Sequence, residues 1–88
     1  MKRIRWLQHA EESLSDREIK REEVEIALRS PDLVEQSWGN RSILMRKYYD
    51  SILQQAMLLR VVVEESIEEL VVVTVYKTSQ INRYTRRS

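Results

Sequence analysis

The chain contains no cysteine, which removes disulfides, thiolate nucleophiles and cysteine metal sites together. It has a single glycine, Gly39, and a single proline, Pro31, so neither a phosphate-binding P-loop nor a glycine-rich dinucleotide turn can be built. His9 is the one histidine, and a zinc site would need carboxylates for its remaining ligands; the glutamates show no metal-ligand spacing. No metal and no cofactor is therefore expected. Apolar runs such as Leu70 to Val73 are far too short to span a membrane, and Met1-Lys2-Arg3 leads into a mixed segment rather than a long apolar one. No membrane association and no secretory signal are expected, and a cytoplasmic location fits. Glu11-Glu12, Glu22-Glu23 and Glu64-Glu65 are carboxylate pairs in sequence only and do not support a glycosidase.

What is present is a strongly β-forming run joined to a basic end. The 88 residues suffice for one domain, 1–88, with a modest core, so pairing with another chain is a reasonable expectation. The net charge of +1 gives no global attraction for nucleic acid, but its distribution does more. Charges balance through Ser30, Glu64, Glu65, Glu68 and Glu69 make an acidic turn region, and from Lys77 onward every charged side chain is basic. Any nucleic-acid contact must then be local.

Leu7, Ala10 and Leu14 mark a helix after a short extended segment from Ile4, and Val24, Ala27 and Leu28 mark a second helix over Lys20 to Arg29. Pro31 stops that helix, because it lacks an amide hydrogen and clashes with helical continuation. Leu33 to Trp38 and Arg41 to Tyr49 read as strands about the Gly39-Asn40 turn, and Leu58 to Glu64 with Glu69 to Lys77 as a hairpin. The expected class is α+β: a small antiparallel sheet of about four strands packed against two N-terminal helices. With Glu64 opposite Glu69, Leu59, Val61 and Val63 share the inner face with Thr74, Val72 and Leu70. That register turns Tyr76 inward and leaves Arg60 and Lys77 on the outer face, although a slip of one or two positions stays open. Residues 79–88 form a basic C-terminal tail or a short helix, with Ile81 and Tyr84 docking at i,i+3 and Arg83, Arg86 and Arg87 exposed.

His9 is the side chain whose reference pKa lies nearest neutrality, which makes it the candidate general acid or base; a polar residue beside the helix core is the alternative. Arg17, Arg46, Arg60, Lys77 and Arg83 are candidate phosphate ligands, since guanidinium and ammonium groups bind charged oxygens. Tyr84 is the best-placed aromatic for stacking on an RNA base, while Trp6 and Trp38 read as packing anchors.

Trp6-Leu7-Gln8-His9-Ala10, Asp16-Arg17-Glu18-Ile19, Val24 to Pro31 and Val72 to Ser79, in this order, resemble the small bacterial domain-of-unknown-function family numbered 4258 over nearly the whole chain. That family is similar to the RelE/ParE and BrnT-like toxins. The resemblance implies a toxin-like fold, RNA or the ribosome as target, a small antitoxin as partner, and metal-independent cleavage by attack of the ribose 2′-hydroxyl on the adjacent phosphorus. It marks His9, Arg17 and Tyr76 as characteristic positions, with His9 and Arg17 as catalytic candidates. Arg46, Arg60, Lys77, Arg83 and Tyr84 come from the residues themselves as RNA-binding candidates. Ser13 stands where the family often has arginine and Glu18 where it commonly has a small residue, and both departures weaken a phosphate site on the first helix. The expected function is a ribonuclease toxin of a toxin-antitoxin pair. The competing expectation is a noncatalytic interaction or oligomerisation domain, including a homodimer.

Overall fold

The computed structural model describes residues 2–85. In chain order its elements are β1 (Arg3–Trp6), α1 (Gln8–Asp16), α2 (Arg21–Arg29), β2 (Leu33–Gln36), β3 (Arg41–Asp50), β4 (Gln55–Glu65), β5 (Glu69–Thr78) and α3 (Ile81–Thr85). The strands form one sheet in the order β1-β5-β4-β3-β2. β1 runs parallel to β5, and every other pair is antiparallel. Because β1 and β2 occupy opposite edges, the chain between them must cross the whole width of the sheet. It does so as α1, laid against β5, and α2, laid against β4 and β3.

The covered face is aliphatic. Ala10, Val24 and Ala27 from the helices meet Leu44, Leu59, Val61, Val63, Val72 and Val75 from the strands, with Trp6, Leu14 and Leu70 at the margin. Each fully buried Leu or Val contributes roughly 1.5–3 kcal/mol, so this layer is the main source of stability. Its small helix residues let the backbones approach: Ser13 is also buried, and its hydroxyl donates to the His9 carbonyl at 2.9 Å. An arginine at position 13 would have no room to lie inward.

α1 ends in a Schellman turn. The Ile19 amide donates to the Leu14 carbonyl at 2.9 Å and the Glu18 amide to the Ser15 carbonyl at 3.3 Å, which closes the last turn and brings Ile19 into the core beside Leu14. This places Glu18 in the left-handed region, at φ 54°, where a glycine is more comfortable. The small residue that the resemblance implies at this position would have a backbone reason.

The expected class is corrected by these observations. The sheet has five strands rather than about four, it is mixed rather than antiparallel, and strands dominate the chain over helices of nine, nine and five residues. The four-residue β1 is a strand rather than only an extended lead into α1, because it pairs with β5, far away in sequence.

The hairpin register is corrected as well. Ser66 and Glu69 close a two-residue loop, with the Ser66 amide donating to the Glu69 carbonyl at 2.9 Å, so Glu65 rather than Glu64 leads into the turn and lies opposite Leu70. A β-bulge then falls where Val62 pairs with Thr74 and Val63 with Val72, leaving Val73 as the extra residue. Leu59, Val61 and Val63 do share the inner face. Beyond the bulge, however, Arg60 lies opposite Tyr76 and Leu59 opposite Lys77. Tyr76 therefore faces outward and Lys77 inward, the reverse of the expected arrangement, because the bulge changes which β5 residues share each face.

Candidate functional site

The expected site residues divide between the two faces. His9 lies exposed on α1, eight positions before Arg17. At the helical rise that separation is about 12 Å along the axis, so the two do not form an acid/base pair within one helix. Arg17 Nη1 donates to the Val75 carbonyl at 2.6 Å. β1 pairs with β5 only as far as Val72, and Arg17 supplies a partner to a β5 carbonyl beyond that point. Arg46 opposes Leu59 on the inner face, where its Nη1 lies 2.5 Å from Glu23 Oε1 and ties α2 to the sheet.

Lys77 is the most enclosed cation of this face. Its Nζ donates to Asp50 Oδ2 at 2.7 Å and to the Glu18 carbonyl at 3.2 Å, joining the end of β3, the end of α1 and β5. Asp50 is buried and fully partnered: it also accepts from the amides of Ile52 and Leu53 at 2.9 and 3.1 Å and from the Tyr48 hydroxyl at 3.2 Å. The hydrogen bond from Lys77, followed by that from the Leu53 amide, lowers the Asp50 pKa from 3.8 to about 2. Burial, with the Asp50 charge second, pushes the Tyr48 phenol up. Carboxylate and ammonium thus neutralise each other, and this corner is a structural rivet.

On the opposite face, Tyr84 of α3 lies against Arg60. Arg60 is only 4% exposed. Its Nε donates to the Tyr76 hydroxyl at 2.6 Å, its Nη1 lies 3.3 Å from the Met45 sulfur, and its guanidinium sits 4.0 Å from the centroid of the Tyr84 ring. All these partners are neutral. Among the described residues the nearest carboxylate is Glu35 on β2, whose Oε1 is 3.9 Å from Nη2, beyond hydrogen-bond distance, and which is half exposed. Arg83 stands on α3 at the margin, its guanidinium 5.8 Å from the Tyr84 ring and its Nη1 donating to Gln80 Oε1 at 3.2 Å. Beside the cluster opens a cleft of about 410 Å³ lined by Leu33, Val34, Glu35, Gln36, Met45, Tyr84 and Thr85.

Arg60, Arg83 and Tyr84 are therefore brought together, while Arg46 and Lys77 are held on the other side of the sheet. Arg86 and Arg87 lie outside the described residues. Sequence reasoning missed Glu35, which is an ordinary polar residue of a short strand until β2, β3 and β4 are ordered side by side. It also missed the partnership of Tyr76 with Arg60, which the bulge creates. Among the described residues, no group of three or more His, Asp or Glu side chains is placed to hold a metal ion. No helix among them is long and apolar enough to cross a membrane.

These features define a small mixed α+β domain with a tyrosine-enclosed arginine on the sheet face opposite its two longer helices. The family model described as "Domain of unknown function (DUF4258)" matches residues 6–77, and the chain belongs to that family. No curated protein and no solved structure matches the chain.

Proposed function

We propose that the chain acts on RNA in the cytoplasm as a metal-independent, toxin-type endoribonuclease, and that its phosphate site is Arg60 beside the cleft between β2 and α3. The observation that carries this reading is a guanidinium hydrogen-bonded only to neutral groups, with Glu35 standing off at 3.9 Å and no carboxylate of the described residues within hydrogen-bond distance. A buried cation without a bonded counter-ion attracts an anion strongly, and a guanidinium offers a phosphate two parallel donors.

In the proposed reaction Glu35 takes the proton from the ribose 2′-hydroxyl, and that oxygen bonds to the adjacent phosphorus. The bond from phosphorus to the 5′-oxygen breaks, and Tyr84 donates a proton to the leaving oxygen. The products are a 2′,3′-cyclic phosphate and a 5′-hydroxyl. Arg60 carries the charge that develops on the phosphoryl oxygens, and Tyr76 holds its Nε in position. Arg83 lies where it would hold a neighbouring phosphate. A small antitoxin covering this cleft would silence it.

The test is RNA decay, with free and ribosome-bound RNA, in the presence of a chelator. Arg60→Met, which keeps the apolar bulk, is expected to lower cleavage by about a hundredfold or more, and Glu35→Gln similarly. His9→Ala is the discriminating arm. Decay that depends on His9 and not on Arg60 or Glu35 would move the chemistry to α1 and reject this cleft.

A second reading, a noncatalytic interaction domain, is favoured by one set of observations: Val34, Trp38, Tyr49, Ile52 and Leu53 are exposed apolar or aromatic side chains. RNA bound through Arg60 with no decay under any condition, or no binding at all, would favour it.

A further inference from the structure

The two edges of the sheet are chemically unlike. β1 is flanked and studded by Lys2, Arg3 and Arg5, the kind of charge that keeps an open edge from pairing with another chain. β2 and its surroundings, Ser30 to Asn40, contain no lysine or arginine, and among the described residues no strand covers the outer side of β2.

The backbone polarity of that open edge can be read from its inner side. The Ser37 amide donates to the Arg41 carbonyl, the Asp32 amide to the Met45 carbonyl, and the Lys47 amide to the Asp32 carboxylate. The odd residues of β3 thus turn their backbone groups toward β2, and their register partners Leu33 and Glu35 turn toward β3. Alternation then aims the amide and carbonyl of Val34 and Gln36 away from the sheet. Val34 is 46% exposed, and Trp38, just past the strand, is 89% exposed.

We propose that β2 is a self-pairing edge, through which two copies of this chain join into one continuous sheet. A two-fold axis normal to the sheet requires that paired residues face the same side, and hydrogen bonding requires that outward-aimed residues meet. The register that sets Val34 opposite Val34 of the second copy satisfies both conditions. It also sets Leu33 beside Glu35 of the second copy, whereas the register shifted by one outward pair would oppose the two Glu35 carboxylates. In the favoured register Trp38 comes level with Ser30 of the second copy, next to Pro31, and its exposed ring gains an apolar partner. On the outer face the two clefts beside Arg60 and Glu35 meet across the seam. The pairing itself does not depend on what those clefts bind.

The lack of cysteine gives a direct test. Cα atoms of a hydrogen-bonded antiparallel pair are about 5.5 Å apart, within disulfide reach, so Val34→Cys is expected to form a disulfide-linked dimer under mild oxidation. Ile67→Cys, exposed at the tip of the β4–β5 turn, is the control, and Val34→Cys should link at least about tenfold faster. Sedimentation of the unmodified chain should show a concentration-dependent dimer. Val34→Pro removes an outward amide without touching the β2–β3 hydrogen bonds, and should weaken that dimer by about tenfold or more while leaving the circular dichroism melt in place. A chain that sediments as a monomer at every concentration, or a Val34→Cys variant that links no faster than Ile67→Cys, would overturn the proposal.

Discussion

Lys77 and Arg60 are cations enclosed on opposite faces of one sheet, and they sit on neighbouring strands only one register step apart. Lys77 meets a buried carboxylate at 2.7 Å and the end of α1; Arg60 meets a phenol, a thioether and an aromatic ring. The first is neutralised inside the fold, so its contribution is to stability. The second has only neutral hydrogen-bond partners, with its carboxylate, the half-exposed Glu35, standing off at 3.9 Å, which suits it to an external anion. Burial alone does not distinguish a structural cation from a binding one; the identity of its partners does.

The largest expected effect comes from breaking the neutralised pair. Asp50→Asn puts an amide nitrogen where Oδ2 accepts from Lys77 and Tyr48, so the Lys77 ammonium loses its carboxylate while Oδ1 still accepts from the two turn amides, and it should cost about 3 kcal/mol, read from urea unfolding. Arg60→Met, measured the same way, should change stability by only about 1 kcal/mol, because Glu35 is exposed enough to remain solvated and the partners lost, the Tyr76 hydroxyl, the Met45 sulfur and the Tyr84 ring, are all neutral. Equal losses in the two variants would erase the distinction.

Acid should act on the same side of the comparison. Asp50 has a folded pKa below its unfolded one, so its contribution is complete above about pH 4 and is lost as pH falls through about 2. In Asp50→Asn, acid unfolding between those values should lose part of its steepness relative to the unmodified chain. For anion binding the order reverses: Arg60→Met should weaken affinity for a short RNA by about tenfold to a hundredfold, the worth of charge-assisted hydrogen bonds.

The smallest effect lies at the end of α1. Glu18→Gly relieves a left-handed backbone worth about 1 kcal/mol, partly offset by the greater freedom of glycine when unfolded, and should raise stability by about 0.5 kcal/mol. This change leaves the Glu18 carbonyl available to Lys77, so it sharpens the view that the inner corner is held by backbone geometry as well as charge.

The sequence made part of this legible. The alternation of Leu59, Val61 and Val63 identified the inner face of β4, and Val24, Ala27 and Leu28 identified the buried side of α2, because periodicity reports local geometry. Pro31 marked the end of α2 for an equally local reason. The bulge at Val73 was hidden, since it lies in a run of valines where several registers bury similar side chains and no glycine or proline marks the kink. That one extra residue reversed Tyr76 and Lys77 and so reassigned the site. β1 and Glu35 were hidden because their roles arise from neighbours distant in the chain, β5 for one and Arg60 for the other.

The most direct test is a titration of the chain with a short RNA, followed by nuclear magnetic resonance at the arginine Nε–H and lysine Nζ groups. The account predicts that the Arg60 Nε–H signal moves with saturable binding while the Lys77 ammonium, held by Asp50, stays in place. An unmoved Arg60, with shifts confined to α1 or to Lys77, would contradict it.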